Sequence, residues 1–237
     1  MKTTLSILLT TIICTLSSLT NDASFRGDGV TVFPIQSASI QMLTDSVFIQ
    51  RGGKLGWLVR VNTTFKNFGP DTVVQIGFPF GYYDPGEIDT LPNGEYCNAN
   101  PEFQVKVNGR SVRTYPKRGI ENPDLDNLKF ALVYTFHVRF KKGEMKSVIQ
   151  TYTVGGGGNS IGERYFNYIL KTGSLWKDSI KSLFISLKLS RKDVKYWQSI
   201  SPQVSDTKQT GKSIEFHWRY ENVKPDSDIE LYHHPDL

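Results

Sequence analysis

The sequence predicts an all-β protein, an antiparallel β-sandwich of immunoglobulin-like or jelly-roll-like type with long loops and at most one short helix. Three observations carry that expectation. Leu128, Phe130, Leu132, Tyr134, Phe136, Val138 and Phe140 take every second position, with Lys129, Ala131, Val133, Thr135, His137, Arg139 and Lys141 between them. Strand side chains alternate between two faces, so this is one long strand whose aromatic face needs an opposing layer to bury it. Trp57, Val59, Val61, Thr63 and Phe65 repeat the pattern. Asn108-Gly109, between alternating Phe103, Val105 and Val107 and a return strand at Ser111 to Tyr115, is a strong hairpin signal.

The elements follow in order. Residues 1–23 carry Lys2 and an apolar run from Leu5 to Leu19. That run is short of the roughly 20 residues of a membrane span and reads as a signal peptide, with cleavage after Ala23. Export to the periplasm, the outer surface or the medium is expected. Acylation at Cys14 is a minor alternative, disfavoured by Ile13 where lipoprotein signals carry a small residue. Residues 24–237 then form a single β-sandwich domain of about a dozen strands, with a possible sub-lobe break near residues 155–160. No transmembrane segment is expected in the mature chain.

Val30 to Pro34 suggests a first strand, followed by a short one at Ile40 and Met42 and another at Val47 to Ile49. Arg51-Gly52-Gly53 turns into the Trp57 strand, and Asn67 to Asp71, with Gly69-Pro70, turns out of it. Val73 to Phe78 lacks alternation and is expected to be central. Residues 79–102 hold Pro79, Gly81, Pro85, Gly86, Pro92, Gly94 and Pro101 and read as one long loop. Pro116 to Asn127 reads as a second polar loop. Lys142-Gly143 turns the organising strand back into Ser147 to Val154. Gly155 to Gly158 is expected to be a hinge or loop tip; without a following Lys-Ser or Lys-Thr it is no phosphate cradle. Arg164 to Lys171, Leu183 to Leu189, Ser213 to Tyr220 and Ile229 to Tyr232 supply the last strands. Ser190 to Trp197 forms one or two helical turns, with Ser190 as N-cap.

The formal charge is +5, from 28 Lys and Arg against 23 Asp and Glu. It is unchanged when Lys2 and Asp22 leave with the signal. So diffuse an excess, with no binding motif, excludes nucleic acid as an expected partner. Cys97 alone remains after cleavage and cannot close an internal disulfide; burial as a small apolar residue is its ordinary role, with intermolecular pairing or a reactive thiol as the alternatives.

Gly77-Phe78-Pro79, the run Tyr168-Ile169-Leu170-Lys171-Thr172-Gly173-Ser174-Leu175-Trp176-Lys177, and Asp28-Gly29 before Val30 to Pro34 together resemble segments of a group of exported bacterial proteins that share a domain of unknown function. The resemblance implies an exported β-sandwich and assigns no catalytic residue. Trp176, after a glycine turn, is expected to plug one end of the sandwich.

Two stretches are candidate binding sites. Arg26-Gly27-Asp28 spells the tripeptide that integrins read, and its position near a chain end suits a host-cell adhesin. Its three-residue length makes it weakly specific, and an ordinary turn explains it as well. The 79–102 loop gathers Tyr82, Tyr83, Asp84, Glu87, Asp89, Asn93 and Glu95. This set could contact a protein or carbohydrate ligand, and its acids do not match the spacing of a twelve-residue calcium loop. A hydrolase built on this loop is a further alternative. Cys97 with His137 or His217 could pair nucleophile with base, but both histidines fall opposite the aromatic faces, where cross-strand or exposed roles are usual. His233-His234, near a fraying end, is too few ligands for zinc. No full catalytic motif is present, so a non-enzymatic binding module without cofactor or metal is the favoured expectation.

Overall fold

The structure, a computed structural model, describes residues 25–26, 31–34, 36–52, 56–82, 103–119, 130–155, 157–158 and 164–233. Residues 1–23, Gly27, Asp28, and the segment from Tyr83 to Glu102 with Cys97 in it lie outside them. The described strands are β1 (Phe25–Arg26), β2 (Thr31–Pro34), β3 (Ile40–Gly52), β4 (Gly56–Asn67), β5 (Thr72–Tyr82), β6 (Gln104–Val107), β7 (Arg110–Val112), β8 (Tyr115–Gly119) and β9 (Phe130–Phe140). They continue with β10 (Met145–Gly155), β11 (Gly157–Gly158), β12 (Arg164–Tyr168), β13 (Ile180–Ser190), β14 (Ser199–Ser201), β15 (Asp206–Thr210), β16 (Ser213–Val223) and β17 (Ile229–His233). A 3-10 turn covers Lys171–Leu175, and one helix, α1, covers Arg191–Tyr196.

The strands form three sheets. An eight-stranded sheet runs β15-β16-β13-β3-β4-β10-β6-β7, a five-stranded sheet runs β1-β2-β8-β9-β5, and a four-stranded sheet runs β11-β12-β17-β14. Pairing is antiparallel except for β3 with β13 and β2 with β8. The expected all-β sandwich is therefore the fold. The inner face of the large sheet is written in cross-strand rows. Trp218, Ile185, Val47, Val61, Gln150 and Val105 stand side by side across six strands. Opposite them β9 buries Tyr134, Phe136, Val138 and Phe140 while His137 and Arg139 are exposed. The aromatic face is buried as expected and alternation holds from Phe136 to Phe140, but Val133 and Thr135 on the other face are buried as well. β4 likewise buries Trp57, Val59, Val61, Thr63 and Phe65.

Local signals account for the turns. Asn108 and Gly109 both take positive φ, at 48° and 78°, which a two-residue hairpin of the right twist requires. At Gly69 a Cβ would stand 2.7 Å from that of Ser39, so only glycine lets β4 turn there. Ser190 caps α1 as expected: its hydroxyl accepts the Asp193 amide at 3.1 Å, and the Asp193 carboxylate reaches back to Ser190.

Several expectations are corrected. Ile40–Met42 and Val47–Ile49 belong to one strand, β3, interrupted by a bulge between Met42 and Thr44. The Val73 strand is not central among the described strands: β5 ends its sheet and pairs only with β9, although Val74, Gln75 and Ile76 are all buried. Residues 79–82 extend β5 rather than opening a loop, because β9 continues opposite them to Phe130. The predicted return strand ends at Val112, and Pro116 to Gly119, the start of the predicted Pro116–Asn127 loop, joins Tyr115 in β8, which pairs with β9. Gly155 ends β10, and Gly157–Gly158 form β11 on the edge of the small sheet, so these glycines are ladder residues and not a hinge. The strand predicted over Arg164–Lys171 stops at Tyr168. Polar, exposed β14 and β15 carry no apolar alternation and were not expected.

Candidate functional site

The site begins with the bulge. Ile40 and Met42 place even-numbered residues inward; skipping Leu43 in the ladder reverses the phase, so Asp45, Val47 and Ile49 face inward instead. Asp45 is thereby placed in the middle of the sandwich, 7% exposed. Its cross-strand partner is Thr63, and the row they share continues through Val148 and Val107 on one side and Leu183 and Tyr220 on the other. Thr63 Oγ1 donates to Asp45 Oδ1 at 2.8 Å. Among the described residues no basic side chain pairs with Asp45. Burial pushes the Asp45 carboxyl up to about 7, and the Thr63 bond opposes that rise only in part.

Asp45 opens onto a cavity of about 60 Å³ between the layers. Thr63, Val61 and Gln150 share its sheet-side wall. Ile76, Gly77, Phe78 and Pro79 of β5 form a second wall, and Tyr168, Ile169, Leu170, Thr172, Gly173 and Trp176 form a third. Two of the three segments that carried the resemblance, Gly77 to Pro79 and Tyr168 to Lys177, thus contribute to one opening, although about ninety positions separate them in the chain. Burial holds the Tyr168 phenol well above its usual range, helped by the nearby Tyr152 phenol and the Asp45 carboxyl. Tyr152, buried on β10, is raised by burial.

The third wall is held in place by its own chemistry. The buried Asp228 accepts the backbone N–H groups of Leu170 and Lys171 at 2.8 and 3.1 Å through one carboxylate oxygen. The Ser37 amide donates to the Leu175 carbonyl at 2.7 Å and the Lys177 amide to the Ile40 carbonyl at 2.9 Å, which stitches the 3-10 turn to the start of β3. A Cβ at Gly173 would lie 3.0 Å from Ile180, so the turn packs closely on β13. Trp176 is buried with its ring 4.6 Å from that of Phe65, in keeping with the plug role expected of it.

The residues singled out from sequence lie elsewhere. Of Arg26-Gly27-Asp28 only the Arg26 backbone is described, in β1. Tyr82 ends β5, and Tyr83, Asp84, Glu87 and Asp89 lie outside the described residues, as does Cys97. His137 is exposed on β9. His217 makes a cross-strand pair: Nδ1 lies 2.6 Å from Asp206 Oδ1, and Arg219 Nε donates to the other Asp206 oxygen at 3.1 Å. The His217 bond, then the Arg219 bond, hold the Asp206 carboxyl below its usual range. The ring of His233 is not frayed; it stacks 3.6 Å from Tyr196 and its Nδ1 bonds the Tyr196 carbonyl at 2.8 Å. Among the described residues no group of three or more His, Cys, Asp and Glu converges as metal ligands would. Asp45 was missed because strict alternation from Ile40 and Met42 points it outward. The one sequence signal was the phase change between Met42 and Val47.

No family model matches the chain, and no curated protein matches it. Among solved structures it is similar to a candidate nutrient binding protein from Legionella pneumophila, at 20% identity and TM-score 0.67, over 86% of this chain and 70% of that one. An M1 zinc metallopeptidase from Deinococcus radiodurans is more distant, at 10% identity and TM-score 0.46, and the chain spans only 43% of its length. The first likeness shows the shared fold.

Proposed function

We propose that this chain is an exported, non-enzymatic binding module whose ligand site is the cavity at Asp45. The observation that carries the reading is a buried carboxyl, without a basic partner among the described residues, at the meeting point of three walls drawn from distant parts of the chain. A cavity with a few convergent polar groups and a perturbed acid is where ligands bind. The nutrient-binding description of the Legionella pneumophila neighbour supports the same reading. Export rests on the residue 1–23 pattern, and among the described residues no helix is long and apolar enough to cross a membrane. The host-adhesin alternative has the Arg26-Gly27-Asp28 tripeptide as its one support. The hydrolase alternative has the acids and tyrosines of the 79–102 loop as its support, and residues 83–102 lie outside the described residues.

The test is a panel of amino acids, amines, sugars and dicarboxylates added to isotopically labelled protein. A saturable ligand is expected to shift the amides of Asp45, Thr63, Gly77 and Tyr168 together and to be recovered chemically unchanged. Binding that maps away from these residues, or recovery of a cleaved ligand, overturns the reading.

A further inference from the structure

We infer that the ligand of this cavity is a small organic cation, a primary or methylated ammonium group, with Asp45 as its counter-ion and Phe65, Phe78, Tyr168 and Trp176 as aromatic walls. The inference rests on the reading of the cavity as the ligand site and names the class of ligand it takes.

Charge is the first argument. Asp45 is the only acid or base among the described cavity-lining residues apart from the Tyr168 phenol, and no Lys, Arg or His is among them. A buried carboxylate without a partner is costly, and a cation entering beside it turns that cost into an ion pair. An anionic ligand would meet repulsion from the carboxylate, and a neutral one would gain no ion pair from it. Only one hydrogen bond reaches Asp45 among the described residues, from Thr63 to Oδ1, which leaves the carboxylate acceptor capacity for an ammonium donor.

The walls are the second argument. Four aromatic rings line the same cavity as this single acid. Ring faces carry negative potential and attract cations, and rings grouped around an acid are the recurrent means of holding an ammonium group. Phe65 and Trp176 are braced against each other, and Phe78 packs on Tyr152 at 5.0 Å, so the walls are set before any ligand arrives. Thr63 Oγ1 and the Gln150 amide add hydrogen-bonding groups to the sheet side.

Size is the third. A cavity of about 60 Å³ has room for roughly four to six waters at 10–15 Å³ each. That fits a compact ammonium head and excludes a sugar ring or a peptide from the enclosed part.

The experiment uses the full mature chain at pH 8, titrated with trimethylammonium chloride, ethanolamine hydrochloride and the uncharged isostere tert-butyl alcohol. Affinity is read by calorimetry and location by amide and indole shifts. Either ammonium probe is expected to bind at the cavity residues at least tenfold more tightly than tert-butyl alcohol. Asp45→Asn, which keeps the shape and removes the charge, is expected to lose at least tenfold in that affinity while keeping a native amide spectrum. Trp176→Phe, which keeps a ring, is expected to lose less. Equal binding of tert-butyl alcohol, or undiminished binding by Asp45→Asn, overturns the cationic class. A neutral or anionic panel ligand that shifts Asp45, Thr63, Gly77 and Tyr168, with both ammonium probes silent, also overturns the class and leaves the cavity as the ligand site. Panel ligands that map only to other surfaces overturn both.

Discussion

Asp45 concentrates the protein's residue-scale physics. Its folded carboxyl titrates near 7 against 3.8 in an unfolded chain, because burial penalises the charged form. A raised acid binds its proton more tightly folded than unfolded, so stability falls as pH rises between those two values and levels off above them. The span corresponds to a loss on the order of 4 kcal/mol. Asp45→Asn mimics the neutral acid and escapes the penalty. Its melting temperature is therefore expected to exceed that of the natural chain by roughly 8–15 °C at pH 8, with the gap closing near pH 4. Thermal melts across that pH range check this, and a gap of constant size would refute it. The same residue shows why local alternation misled the site search. Nothing in Thr44-Asp45-Ser46 distinguishes an inward acid from an outward one; the bulge at Leu43 decides.

The turn over Lys171–Leu175 is the decisive element. It forms the third wall of the cavity, and its first backbone donors depend on Asp228, fifty-seven and fifty-eight positions away. Asp228→Ala leaves two buried or half-buried N–H groups without an acceptor. The expected cost is about 2–3 kcal/mol, with faster hydrogen exchange at Leu170 and Lys171, while Asp228→Asn, which keeps an acceptor oxygen, restores most of the protection. Equal exchange in the Ala variant and the natural chain would show that the stitching to Ser37 and Ile40 suffices. The N-cap of α1 was legible in Ser190 because a cap is local. The Asp228 contact was not, because no short-range pattern ties an acid in one loop to amides in another.

For the whole molecule, the eight-stranded sheet draws strands from both sides of Gly155. β13 lies parallel to β3 in its middle and buries Ile180, Leu183, Ile185, Leu187 and Leu189. A chain ending at Gly156 loses all five, at roughly 2 kcal/mol each. That loss approaches the whole of a domain's usual stability of about 5–15 kcal/mol. Such a fragment is expected to lack a cooperative melt and a dispersed amide spectrum; a sharp transition would mean that the residues before Gly155 hold a core of their own.

The sequence alone determined that the chain is built of long amphipathic strands, where the Asn108-Gly109 hairpin falls, and where Ser190 starts a helix. Each of these follows from side-chain alternation or capping within a few residues. Only the tertiary structure decided which face of β3 holds Asp45, that β5 ends its sheet among the described strands, and that Thr63, Gly77 to Pro79, Gln150, Tyr168 and Trp176 line one opening. Those outcomes depend on ladder register and on sheets closing over one another, and register couples residues that no local pattern in the chain connects.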